Sequence, residues 1–169
     1  MQSHQYSYAG DRFRYEVEAR WAMFFRKLGI AYEYEKKEFV LDRGWVKPDF
    51  YLRKERVWIE VKPKVFEAIS PSRYRDLARE TGKTVLLIVG KPERGQYFTE
   101  AYTPHGWHDM RDGTFAESGE KHKRLVLVRD QYAVELRSGA RISLIEPGQV
   151  ILDSDWIAKA EREVMDAFR

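Results

Sequence analysis

Apolar residues recur at spacings of three and four from about Arg12 to Leu28, at Phe13, Val17, Trp21, Phe24, Phe25 and Leu28, and Gly29 follows. This period predicts a helix with one buried stripe, ended by the glycine. Ala31-Tyr32-Glu33-Tyr34-Glu35 alternates as a strand does, and Phe39-Val40-Leu41 reads as another, closed by a turn at Asp42-Arg43-Gly44. Asp49-Phe50-Tyr51-Leu52 and Val57-Trp58-Ile59-Glu60-Val61 predict two strands joined by the charged turn Arg53 to Arg56. A helix is predicted over Pro71 to Thr81, with Tyr74, Leu77 and Ala78 on one face and Gly82 as its stop. Thr84 to Val89 is rich in β-branched residues and reads as a fully buried strand. With four strand-like runs between the two helices, residues 12–90 are read as an α-β-β-β-α-β core order.

The second half carries weaker signals. Residues 92–123 mix glycine, proline and polar residues and read as a long loop or insertion. Leu125 to Val128, Tyr132 to Leu136 and Ile142 to Ile145 predict a small β-meander, with turns at Arg129-Asp130-Gln131 and Ser138-Gly139. A final helix begins near Asp153 or Ser154, both good N-caps. Trp156, Ile157, Ala160, Val164 and Phe168 form its apolar stripe. The stripe is expected to pack on its own domain, with a homodimer interface as the second choice. Residues 1–11 are polar and read as a flexible N-terminus. The expected architecture is one α/β domain, residues 124–169 being a meander and helix appended to it.

Composition narrows the chemistry. With 169 residues the chain has room for one domain with a real core. At 43% hydrophobic and 34% charged residues it reads as globular rather than disordered. The absence of cysteine excludes disulfides, cysteine-ligated metals and a cysteine nucleophile. No apolar run approaches the ~20 residues of a membrane span, and Met1 to Gln5 has no signal-peptide pattern, so the expected compartment is the cytoplasm. A net charge of +3 permits a polyanionic partner without demanding one.

Four charged residues stand out: Glu18 in the first helix, Asp49 after Pro48, and Glu60 and Lys62 on either side of Val61. Asp49 and Glu60 fall on adjacent strands of a predicted antiparallel pair. Glu60 and Lys62 are two apart on one strand, so they share a face, while Ile59 and Val61 point the other way into the core. A strand face bearing a carboxylate and an ammonium, with a second carboxylate from the next strand, suits a hard cation such as Mg²⁺ together with a substrate phosphate. The lysine would stabilise developing negative charge. The plain alternative is a solvated strand face with a cross-strand ion pair. On the first helix, Glu18 lies roughly 85° from the centre of the apolar arc and Glu16 roughly 115° on the other side. Glu18 is thus nearer the buried edge.

Pro48-Asp49 … Glu60-Val61-Lys62 resembles the PD-(D/E)xK motif of restriction-endonuclease-like nucleases, and the α-β-β-β-α-β order resembles their common core. Glu18-Ala19-Arg20-Trp21-Ala22, with Phe24-Phe25, Leu28-Gly29-Ile30 and Tyr34-Glu35, is similar to the opening of small stand-alone phage and mobile-element nucleases, and to the N-terminal domain of transposon-end endonuclease subunits. The resemblance covers about residues 12–91. It implies a mixed central sheet flanked by helices and Mg²⁺-dependent hydrolysis of phosphodiester bonds, with Mn²⁺ as a substitute. DNA is the expected substrate, RNA being left open, and a phage-encoded protein would work in the host cytoplasm. It further implies that Asp49, Glu60, the Val61 carbonyl and Glu18 hold the metal and that Lys62 assists the attack. Two other readings stand beside this one: a strand-nicking subunit that works with a transposase or recombinase, and a non-catalytic nucleic-acid binder on a nuclease fold.

Lys64 shares the parity of Glu60 and Lys62 and meets either a phosphate or only solvent. Arg73 and Arg75 open the second helix beside the expected cleft and are candidate DNA contacts. Trp45, Trp107 and Tyr97 could stack on bases, although aromatics are more often core. His105 and His108 lack a third ligand at a recognisable spacing and read as loop residues. Lys121-His122-Lys123-Arg124 reads as a solvated run rather than a phosphate site.

Overall fold

A computed structural model describes residues 6–63, 71–110, 113–119, 124–129, 132–135, 142–144 and 150–167. The chain begins with a hairpin, β1 (Tyr6–Tyr8) and β2 (Asp11–Phe13), and enters the helix α1 (Glu16–Lys27). Gly29 ends this helix in the left-handed region at φ +71, its N–H donating to the Arg26 carbonyl at 2.9 Å. Five strands follow: β3 (Tyr32–Tyr34), β4 (Phe39–Leu41), β5 (Gly44–Val46), β6 (Phe50–Leu52) and β7 (Val57–Lys62). After α2 (Pro71–Thr81) come β8 (Val85–Gly90), β9 (Tyr97–Thr103) and β10 (Gly106–Met110). The remainder is β11 (Thr114–Ser118), β12 (Leu125–Arg129), β13 (Tyr132–Glu135), β14 (Ile142–Leu144), β15 (Val150–Ile151) and α3 (Asp155–Ala167).

The main sheet is six-stranded and mixed, in the order β10-β9-β8-β7-β6-β3, with β7 and β8 parallel and every other pair antiparallel. β4 and β5 leave this sheet and form a separate two-stranded ribbon. The main-sheet strands therefore follow the expected order, α1, then β3, β6 and β7, then α2 and β8. A second, wholly antiparallel sheet runs β14-β13-β12-β11-β15. The fold is mixed α/β with three helices among the described residues.

Both faces of the main sheet are covered. Val57, Ile59 and Val61 of β7 join Trp21, Phe25 and Phe50 in one core under α1. Trp58, the intervening residue, joins Tyr51, Leu77 and Tyr102 in a second core under α2. A strand buried on both sides reads as a near-continuous apolar run, as β7 and β8 do. Trp21 ties the two sheets together. Its ring packs edge-on against Tyr97 and Phe115, and its indole N–H donates to the Gly90 carbonyl at 2.8 Å. Position 90 needs glycine: φ is +107 and a Cβ there would stand 2.1 Å from the Gln96 carbonyl oxygen.

Several expectations are corrected. Tyr6 to Tyr8 and Asp11 to Phe13 pair as a hairpin rather than fraying, and α1 starts at Glu16 rather than Arg12. The stretch read as a loop over 92–123 contains three strands, β9, β10 and β11. Alternation explains β9: Tyr97 and Ala101 enter the α1 core while Tyr102 enters the α2 core. The final stripe packs within the chain, Ile157, Ala160 and Val164 lying in the α1 core. Ser154 precedes α3, but its hydroxyl donates to Glu117 Oε2 at 2.5 Å across to β11. Lys64, Phe168 and Lys121 to Lys123 lie outside the described residues. No helix among the described residues is long and apolar enough to cross a membrane.

α1 and α3 are fastened by a buried arginine. Arg20, 4% exposed, donates from Nη1 to the Val164 carbonyl at 2.9 Å and to the Met165 carbonyl at 3.3 Å. Its Nε donates to Glu16 Oε1 at 2.6 Å. A cation here satisfies carbonyls in the last turn of α3 that have no partner within that helix, and it complements the helix dipole. Arg20→Met keeps the aliphatic stem and strands those acceptors, so it is expected to cost about 2–3 kcal/mol and to lower Tm by about 5–10 °C in a thermal melt. An unchanged Tm would show that this contact does not hold α3 in place.

Candidate active site

Asp49 sits one residue before the β6–β7 ladder, which pairs Phe50 with Ile59. Continuing that register by one step places Asp49 opposite Glu60. The ladder is extended by a side chain: Asp49 Oδ2 accepts the Val61 N–H at 2.7 Å. The Asp49 carbonyl also accepts from Glu35 N–H at 2.8 Å, which joins the end of β3 to the same corner. Two carboxylates directly opposite one another are unfavourable by themselves. Both are nonetheless buried, Asp49 at 8% exposure and Glu60 at 7%.

Glu18 arrives from α1. Its Oε2 accepts the Arg14 N–H at 3.1 Å, the Tyr15 N–H at 3.4 Å and the Tyr34 hydroxyl at 2.9 Å. A carboxylate in the first turn takes up backbone donors that have no partner inside the helix, so Glu18 is also a helix cap. Glu16, the competing residue, is half-exposed and bound to Arg20 instead. Glu18, Asp49, Glu60, Lys62, Arg73 and Tyr74 all line one cleft of about 250 Å³.

The electrostatics are those of crowded like charges. Burial, then Glu60 and then Glu18 hold the Asp49 carboxyl well above the ordinary aspartate range, against the Val61 N–H and Lys62, which lower it. Burial also raises Glu60, with Lys62 opposing, and raises Glu18, with Tyr34 opposing. The Tyr34 hydroxyl is pushed up by burial and by Glu18, so it stays a donor. Lys62 Nζ stands 2.7 Å from Glu60 Oε1, while Glu60 Oε2 is buried with no hydrogen-bond partner. A buried, unsatisfied carboxylate oxygen is costly unless something else meets it. Among the described residues, no three acidic or histidine side chains are drawn together as a ready-made metal centre.

The plain alternative, a solvated strand face, does not hold for Glu60, because α2 and the β4–β5 ribbon cover that side of the sheet and Glu60 is buried. Arg73 reaches the cleft; Arg75 stands instead near Tyr102. Trp45 lines the cleft, whereas Tyr97 belongs to the core and Trp107 lies on β10, outside the cleft lining. Sequence reasoning missed Arg14, Glu35 and Lys47. Glu35, at φ +43, binds Arg14 at 3.0 Å and Lys47 at 2.9 Å on the cleft wall. Their one signal was charge, Arg14 on the predicted helix, Glu35 at the end of a predicted strand and Lys47 between strands, and charge is common on any surface.

Because these carboxyls bind protons more tightly folded than unfolded, stability from the cluster falls as pH rises above the ordinary carboxylate range toward neutrality. Asp49→Asn keeps the acceptor for Val61 and removes one charge. In EDTA its Tm is expected to exceed that of the parent at pH 7–8, with the gain shrinking toward pH 4, where the parent carboxyls are protonated. A loss of Tm equal at both pH values would contradict the like-charge account.

Set against family models, curated proteins and solved structures, the chain matches none. The geometry of the cleft carries the functional argument.

Proposed function

We propose that this chain is a divalent-metal-dependent nuclease with a restriction-endonuclease-like core, hydrolysing phosphodiester bonds in DNA. The observation that carries the reading is the convergence of Asp49, Glu60 and Lys62, from two adjacent strands, with Glu18 on one cleft beside the parallel pair β7–β8. The order of helices and main-sheet strands supports it. So does the position of the cleft at the carboxyl end of β7, where ligands of open α/β sheets collect.

The residues fit a hard cation. Glu60 Oε2 is buried and unpartnered, and the raised carboxyls are those that a positive charge would relieve. Asp49, Glu60 and the Val61 carbonyl would hold it, with Glu18 beside them; one or two carboxylates completed by substrate phosphate is the usual Mg²⁺ donor set. Bound there, Mg²⁺ or Mn²⁺ supplies Lewis acidity to a phosphoryl oxygen. The chain's own groups do the rest. The Val61 N–H fixes the Asp49 carboxylate. Tyr34 and two backbone amides fix Glu18. Lys62, held by Glu60, places a positive charge where negative charge develops on the phosphate. Arg73, exposed on the rim, neutralises a phosphate of the bound strand.

The test is cleavage of supercoiled plasmid, linear duplex, single-stranded circles and RNA with Mg²⁺, Mn²⁺ or EDTA. Cutting is expected with either metal and not with EDTA. Asp49→Asn and Lys62→Ala are each expected to lose at least about 100-fold, as removal of a transition-state contact does. Glu18→Gln should lose about tenfold, and Glu16→Gln should stay within about a factor of two, because glutamine keeps an acceptor for Arg20 and Glu16 does not line the cleft. Metal-independent cutting, or activity retained by folded Asp49→Asn, would contradict the proposal.

A further inference from the structure

The β4–β5 ribbon turns two different faces outward and inward. Phe39, Leu41 and Val46 pack inward on the α2 core. The alternate residues Val40 and Trp45 are cross-strand partners, so they share the opposite face. That face is open: Val40 is 87% exposed and Trp45 is 60% exposed. Trp45 also lines the carboxylate cleft, and so does Tyr15, which is 40% exposed. Two exposed aromatic rings thus share a cleft with Arg14, Lys47, Lys62 and Arg73, whose charges offset the four carboxylates that also line it.

Aromatic rings interleaved with cations in one groove are the pattern that binds an unpaired nucleic-acid strand: cations follow the backbone and bases stack on the rings. A paired duplex offers no base face to such rings without being unstacked, which costs a few kcal/mol per step. We infer that Trp45 and Tyr15 form a stacking platform for unpaired nucleotides, and that the substrate is nucleic acid with single-stranded character beside the cleaved phosphate. Val40 extends the apolar blade next to Trp45. This rests on the nuclease reading for the identity of the cleft, but binding is separable from cutting.

The test uses the full chain carrying Asp49→Asn, in EDTA, so that no cleavage intervenes. Tryptophan-fluorescence titration and anisotropy measure its affinity for a single-stranded DNA oligonucleotide, the same sequence as RNA, and the blunt duplex. Adding Trp45→Ala is expected to weaken single-strand binding about tenfold or more, within the usual worth of one stacked base. Trp45→Phe should restore most of that loss, and duplex binding should change by less than about twofold. Tyr15→Ala should act in the same direction, and circular dichroism checks the folding of each variant. Single-strand binding unmoved by Trp45→Ala, or single-strand and duplex binding lost equally, would overturn the inference. Without metal-dependent cleavage in the parent chain, the nuclease reading falls while Trp45-dependent binding still stands. Cleavage of single strands that is indifferent to Trp45 has the opposite meaning.

Discussion

The hydrogen bond from Val61 N–H to Asp49 Oδ2 is the contact on which the site depends. It carries the β6–β7 pairing past the end of the backbone ladder with a side chain. In doing so it fixes a carboxylate opposite Glu60, inside the sheet rather than at its surface. The arrangement is unfavourable in isolation, since burial and like charge both raise these carboxyls. It persists because the surrounding structure determines it. β7 is clamped between β6 and β8, α1 covers one face, and α2 with the β4–β5 ribbon covers the other. Local strain of this kind is held where a rigid scaffold leaves the chain no better choice, and it concentrates at functional sites.

The rest of the molecule can be understood as the support for that corner. α1 delivers Glu18 by its first turn, and the helix itself is fixed at its far side by Trp21 against the second sheet and by Arg20 against α3. The C-terminal region is therefore more than an appendage. Its Phe115, Ile157, Ala160 and Val164 complete the core on which α1 rests. A change in the packing of α3 would be felt at Glu18 through a single helix.

Much of this was legible in the sequence where a period was strong. The stripe of α1, the span of α2 and the apolar run of β8 stated their own structure. The parity of Glu60 and Lys62 was enough to bring both to one cleft with Asp49. What was hidden has physical reasons. The β1–β2 hairpin turns at Ala9 and Gly10, both at positive φ, and alanine at such a position is not a recognisable turn signal. β9 alternates threonine, glutamate and aromatics between two cores, which resembles a polar loop when only composition is read. The burial of Glu60 was invisible because the ribbon that covers it comes from distant residues. Glu35 gave no sign of Arg14 and Lys47, nor Arg20 of the Val164 and Met165 carbonyls, since those partners are far off in the chain; only the Glu16–Arg20 pair has a helical spacing.

A cation held by Asp49 and Glu60, with Glu18 beside them, would relieve the cost of burying these like charges, and the most direct measurement is a thermal melt at pH 7.5 with and without millimolar Mn²⁺. A ligand present at 100 times its dissociation constant, and binding only the folded state, stabilises by about 2.7 kcal/mol. The account predicts a clear rise in Tm for the parent chain and none for Asp49→Asn. An unmoved parent Tm, or the same rise in Asp49→Asn, would contradict it.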